Sequence, residues 1–177
     1  MVYIILGNGF EEVEAIAPCD ILRRGGVDVQ FAGIGGKTVT GAHGICVEAD
    51  VTVEQMQDAE MIVLPGGLGG VASIRSSETA MNAVRTAWQT GKFVCAICAA
   101  PTILAQLGIT DGKNATCYPG MEGEMGSAHM TGLGAVTDGK VICGQAAGAA
   151  MAFGFELLKA LKGAETAQKV RKSMVAG

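Results

Sequence analysis

Histidine is scarce in this sequence, with two residues in 177, and so are aromatics, with five Phe, two Tyr and one Trp. Basic residues are few as well: 13 Lys and Arg stand against 17 Asp and Glu, the formal net charge is −4, and no basic run occurs. With neither a phosphate-neutralising face nor a base-stacking platform, nucleic acid is not an expected partner. Long apolar stretches are missing. The longest, 93–105 and 146–155, are interrupted by Pro101 and Thr102 or by two glycines, and both fall short of the ~18 residues of a spanning helix. No membrane segment is expected. The opening Met1-Val2-Tyr3-Ile4-Ile5-Leu6-Gly7 has no cationic n-region and soon meets Glu11 and Glu12, so it reads as a buried strand and the expected compartment is the cytoplasm. Histidines at 43 and 129 without ligands at metal spacing leave no expected metal site. Cofactor loops are equally absent. Gly7-Asn8-Gly9 has Glu12 where a dinucleotide loop needs its third glycine, and Pro65-Gly66-Gly67-Leu68-Gly69-Gly70 lacks the Lys-Ser/Thr of a P-loop.

What the chain does have is 49% hydrophobic residues and 27 glycines set singly or in pairs between short apolar runs. That balance is too apolar for disorder, and the length suits one globular domain over 1–177. Six cysteines, at 19, 46, 95, 98, 117 and 143, are too dispersed for a disulfide scaffold and read mainly as buried thiols. The runs 2–6, 27–32, 61–64 and 93–97 have the continuous apolar character of strands buried on both faces of a parallel sheet. Helical spacing predicts a helix over 11–24, with Pro18 kinking it or starting its main part, and another capped by Ser77 and ending at Gly91. Further helices are predicted at 99–107, 148–162 and 164–174. The glycine-flanked interval 37–53 suggests an antiparallel hairpin at the sheet edge. Alternating strands and helices predict an α/β fold, a three-layer α/β/α sandwich with a mainly parallel sheet.

Three segments follow predicted parallel strands: 7–14, 65–70 and 98–101. Ligands of open α/β sheets bind beyond the carboxyl ends of the strands, so these loops form the default site. The run Phe93-Val94-Cys95-Ala96-Ile97-Cys98-Ala99-Ala100-Pro101 reads as strand, sharp turn and helix, with small Ala96 and Ala100 flanking Cys98, the pattern of a nucleophile elbow. A cysteine at a helix start meets unsatisfied N–H groups that favour thiolate, which makes Cys98 the expected reactive thiol with a lowered pKa. Cys95 and Cys98 form a C-x-x-C, but an offset of three across a strand end points the two side chains apart. Glu14 taken alone reads as a solvated charge. The glycines of 65–70 either let a backbone N–H approach an oxyanion or form a turn without chemical role.

The strings Gly9-Phe10-Glu11-Glu12-Val13-Glu14, Val63-Leu64-Pro65-Gly66-Gly67 and Ala96-Ile97-Cys98-Ala99-Ala100-Pro101-Thr102, with the helix from Gly148 to Gly163, resemble the DJ-1/ThiJ/PfpI superfamily in order and spacing over nearly the whole chain. The resemblance implies a flavodoxin-like sandwich and a homodimer. It implies that Cys98 is the nucleophilic, oxidation-sensitive cysteine, that Glu14 hydrogen-bonds its sulfur, and that the backbone N–H groups of Gly67 and Ala99 face the reacting oxygen. Tyr118 stands where this branch often has histidine, and His43 and Gln145 stand where close relatives have arginines lining an anion site, so these three are the expected pocket residues. The function implied is cofactor-independent, cysteine-dependent conversion of small α-oxoaldehydes, methylglyoxal to lactate, with a stress-response role. The alternative is a non-enzymatic redox sensor or chaperone that works through oxidation of Cys98. A peptidase is not expected, since Ala99 occupies the position where that branch has histidine.

Overall fold

Along β1 (Val2–Leu6), Val2, Ile4 and Leu6 point to one side of the sheet and Tyr3 and Ile5 to the other, and all five are buried. Alternation with both faces apolar forces a layer of helices onto each side. The same division holds in β6 (Met61–Leu64) and β7 (Phe93–Ile97). The computed structural model describes residues 1–176, and within them seven strands form a sheet in the order β10-β11-β7-β6-β1-β2-β5. Here β2 is Val29–Gly33, β5 Val51–Thr52, β10 Ala135–Asp138 and β11 Val141–Gly144. All pairings are parallel except that of the edge strand β10 with β11.

Helix α1 (Glu12–Arg24) and the long α5 (Ala150–Ser173) pack on one face against Val2, Ile4, Leu6, Cys95 and Ile97. Helices α2 (Leu68–Ser76), α3 (Glu78–Gln89) and α4 (Pro101–Gln106) cover the other against Tyr3, Ile5, Leu64, Val94 and Ala96. This is the expected flavodoxin-like sandwich. From β1 the chain runs outward through α1 to β2, then returns to β6 on the other side of β1 and moves away through β7. The sheet therefore reverses direction between β1 and β6, and a crevice opens beyond the carboxyl ends of those strands.

Several elements differ from the sequence reading. Pro18 neither starts nor interrupts α1, which runs unbroken from Glu12. The hairpin β3 (Thr38–Thr40) with β4 (Cys46–Glu48) forms a sheet of its own, and the short β5 alone borders the main sheet. Strands β10 and β11 lie in a region where glycines obscured the pattern, as do the two-residue β8 (Asn114–Ala115) and β9 (His129–Met130). Most consequential, the glycine-rich 68–70 opens helix α2 instead of forming a loop. An ideal Cβ at Gly69 would lie 3.0 Å from Gly9 Cα, and one at Gly70 2.7 Å from Phe10 Cα. Tertiary contact with the 8–10 backbone thus overrides glycine's poor helix propensity.

Other features match. Gly163, with φ +83°, divides α5 into the two expected helices. Ser77 caps α3 by accepting the Ala80 N–H at 3.2 Å. Ser77→Ala should lower stability by about 1 kcal/mol, seen as a shift of the urea midpoint at constant slope. No described helix is long and apolar enough to cross a membrane.

Candidate active site

The crevice gathers the ends of β1, β6 and β7. Cys98 follows β7 directly, its N–H donates to Gly144 O at 3.0 Å, and its carbonyl accepts the Tyr118 N–H at 2.7 Å. These two bonds clamp it at φ +66°, one of two non-glycine residues with positive φ among those described. A left-handed conformation there is strained by roughly 1–2 kcal/mol. The strand-to-helix turn is the elbow expected from sequence, although Cys98 to Ala100 form an intervening turn and α4 has only six residues. Its dipole is small, and the local donors are individual: the N–H groups of Gly67 and Ala99 favour charge on the Cys98 sulfur.

Glu14 lies in the first turn of α1 with its side chain wholly buried. Its Oε2 accepts the Gly66 N–H at 2.8 Å, its carboxyl faces the Cys98 thiol across Gly66, and Oε1 has no partner. Burial raises the carboxyl to about 7, against the opposing pull of Gly66 and Cys98. The thiol is not lowered as the elbow alone predicted. Burial first, and then the charge of Glu14, push Cys98 up to about 12, although the Gly67 and Ala99 N–H groups act the other way. The two groups titrate as a coupled pair: the first proton leaves near neutral pH, with the Cys98 thiol holding the second.

The glycines beside them have steric causes. A Cβ at Gly66 would stand 2.6 Å from both Cys98 Cβ and Glu14 Oε2, and Gly67 has φ +82° with its Cβ position 2.4 Å from Gly9 O. The loop after β6 must be bare for the two reacting side chains to meet. Neither reading of 65–70 from sequence had found that Gly66 holds Glu14.

A cavity of about 460 Å³ opens at Cys98, and Gly67, Ala99, His43 and Tyr118 line it together with Glu11, Leu68 and Met121. Gln145 is not on its wall: its amide donates to Gly132 O at 3.1 Å, bracing the neighbouring loop. A cavity of about 520 Å³ between the 53–59 segment and α3 contains neither Cys98 nor Glu14. His43 sits at the hairpin tip because of Glu12. Buried Glu12 accepts the His43 N–H at 2.7 Å on Oε1, while Oε2 lies 2.8 Å from the ring Nδ1. Burial raises the Glu12 carboxyl, but these bonds outweigh it and hold the group down at about 2, while the His43 ring is raised by the same bond. Glu11, Glu12 and His43 thus approach with ligand atoms within 4.8 Å of one another, a grouping their sequence spacing did not show. Leu68 and Met121 were also missed, because nothing in their own segments marks them as facing the crevice.

The other thiols behave as buried ones. Cys19 and Cys117 are raised to about 11 and Cys143 to about 12 by burial, burial likewise raises Cys95 well above the ordinary thiol value, and Cys46 alone is exposed.

The sequence profile of the DJ-1/PfpI family matches residues 1–160. The chain belongs to the DJ-1/PfpI family. Among its members, the Drosophila melanogaster protein dj-1beta is 34% identical over 177 residues, covering 97% of this chain and 95% of that one. A protein of Pyrococcus horikoshii named a deglycase is 33% identical over 165 residues, covering 91% and 99%. The crystal structure of Drosophila melanogaster DJ-1beta superposes with a TM-score of 0.94 at 33% identity, covering 99% of this chain and 97% of its own. The fold is therefore that of a DJ-1/PfpI family member.

Proposed function

We propose that this protein is a cofactor-independent cysteine enzyme of small α-oxoaldehydes, converting methylglyoxal and water to lactate as part of a stress response. The observation that carries the reading is the wholly buried Glu14 carboxyl, held by the Gly66 N–H beside Cys98 at the foot of the crevice. The deglycase name of the Pyrococcus horikoshii relative supports the same reaction class.

In the first step the Cys98 sulfur forms a bond to the aldehyde carbon while Glu14 takes the thiol proton. The carbonyl π electrons move to oxygen, which the Gly67 and Ala99 N–H groups stabilise before it is protonated to the hemithioacetal. Proton transfer from C1 to the C2 oxygen gives an enediol, and reprotonation at C2 gives a thioester. Glu14, near 7, is suited to both the removal and the return of that proton. Addition of water to the thioester then breaks the C–S bond, releases the 2-hydroxy acid and restores the thiol. Tyr118, half-exposed on the cavity wall, orients the substrate. A homodimer is supported by Val13 and Ile16, which α1 leaves 43% and 42% exposed, and by exposed Ile45 on the hairpin side of the same helix.

The test is lactate formed per mole of protein from methylglyoxal, without thiol additives, in wild type and Cys98→Ser. Many turnovers in the wild type and none in the variant are expected. Fewer than one turnover, or activity indifferent to Cys98, would overturn the enzyme and favour a redox protein acting through oxidation of Cys98.

A further inference from the structure

We infer that the cavity at Cys98 selects by charge, admitting uncharged carbonyl compounds with an apolar substituent and turning away those bearing a carboxylate or phosphate, with Glu11 as the specificity-determining residue. The inference rests on Cys98 being the group that meets the ligand.

Among the described residues lining the cavity there is no Lys or Arg. His43 is the one side chain there able to carry positive charge, and it faces two carboxylates, Glu12 at 2.8 Å and Glu11 at 3.6 Å. Protonated His43 balances Glu12 and leaves Glu11 uncompensated. Turning the ring toward a bound anion would leave Oε2 of the buried Glu12 carboxylate without its partner. Backbone donors around the rim are already used: Gly9 N–H bonds Thr40 O, Glu11 N–H bonds Gly66 O, Ala42 N–H bonds Phe10 O, and His43 N–H bonds Glu12. What remains open is apolar, with Leu68 76% exposed and Tyr118 and Met121 beside it. A ligand carboxylate would enter an anionic mouth with no free cationic side chain to receive it. At an effective dielectric between protein and water, one nearby carboxylate opposes it by roughly tenfold.

Iodoacetamide and iodoacetate test this directly. Each forms the same S–C bond at Cys98 with iodide leaving, and they differ in charge alone, so the ratio of their rates cancels the thiolate fraction. Modification is assigned to Cys98 by peptide mass, with Cys98→Ser as control against exposed Cys46. At pH 7 and low salt, the amide-to-acetate ratio should exceed that of a small free thiol by roughly tenfold, narrow with added salt, fall in Glu11→Gln, and invert in Glu11→Lys. A ratio equal to the free thiol's, or one unmoved by Glu11→Gln, overturns the inference. In turnover, kcat/KM for phenylglyoxal should exceed that for 4-carboxyphenylglyoxal, which keeps the same oxoaldehyde and adds a carboxylate, and Glu11→Lys should narrow the gap. Selective alkylation without turnover would sustain charge selection and overturn the proposed enzyme. Turnover with an unselective ratio would do the reverse.

Discussion

Glu14→Gln should make the protein more stable and less reactive. The sign follows from the carboxyl's rise from 4.5 to about 7. Between those values the unfolded chain has released the Glu14 proton and the folded protein still holds it. Stability therefore falls as pH climbs from 4.5 to 7, then stays level at a loss of up to about 3 kcal/mol. A neutral amide removes that loss. In urea unfolding, Glu14→Gln should match the wild type near pH 4 and exceed it at pH 8, by less than the full amount because part of the amide NH2 lacks a partner where Oε1 lacks one now. The second half is chemical. Wild-type Cys98 should react with iodoacetamide along a profile that rises through pH 7, as the pair loses its first proton, and then levels. Without the carboxylate to receive the thiol proton, the variant should lose that step and react several-fold more slowly at pH 7.5. A variant whose alkylation profile overlays the wild type from pH 5 to 8 would show that Glu14 does not govern the sulfur.

Gly66→Ala should have the larger effect on activity, more than two orders of magnitude in kcat/KM. The added methyl would sit 2.6 Å from Cys98 Cβ and Glu14 Oε2, and 3.0 Å from the sulfur itself. Cys98 cannot yield, because its backbone is clamped by Gly144 and Tyr118, so the carboxyl and the sulfur must part. Gly67→Ala is a useful contrast. There the strain falls on φ +82° and on Gly9 O, so folding itself should suffer by about 2 kcal/mol or more. Gly66→Ala folded but destabilised by about 1–3 kcal/mol and without turnover, beside a Gly67→Ala whose loss is strained backbone as well as space, is the expected pair of results. Full activity in Gly66→Ala would mean that contact between Glu14 and Cys98 is not required.

Cys98 was legible because an elbow is a local event. Strand, small neighbours and turn occur within nine residues, and their pattern specifies the backbone. The strands 2–6, 61–64 and 93–97 were legible for a similar reason, since burial on both faces leaves a continuous apolar run. Glu14 was not legible from its surroundings: only the resemblance marked it. Its burial is produced by the Gly66 loop and by Cys98, far along the chain, and a carboxylate at a helix start has an ordinary solvated explanation. The 68–70 glycines misled for the opposite reason, their helix being imposed by the 8–10 backbone packed on it. Gln145 and His43 occupied equivalent standing in the sequence, yet the structure turns one to Gly132 and ties the other to Glu12 at the cavity mouth. Side-chain partners chosen over such distances leave no trace in spacing.

The order β7-β6-β1 at the sheet centre also bears on how the protein is made. Synthesised before the other strands, β1 with α1 can pair early with β2, but the segments that bury Glu14 follow β6 and β7 and are synthesised later. Parallel pairing across such separations is slow, since a long loop must close before any contact rewards it. Until β7 docks, Glu14 remains an ordinary hydrated carboxylate, and Cys98 an ordinary thiol ionising near 8.5. The coupled pair is thus a property of the completed sheet. Its signature near pH 7 should appear with the last step of refolding, so the rate at which Cys98 gains that signature offers a clock for central-sheet assembly that needs no fluorescent label.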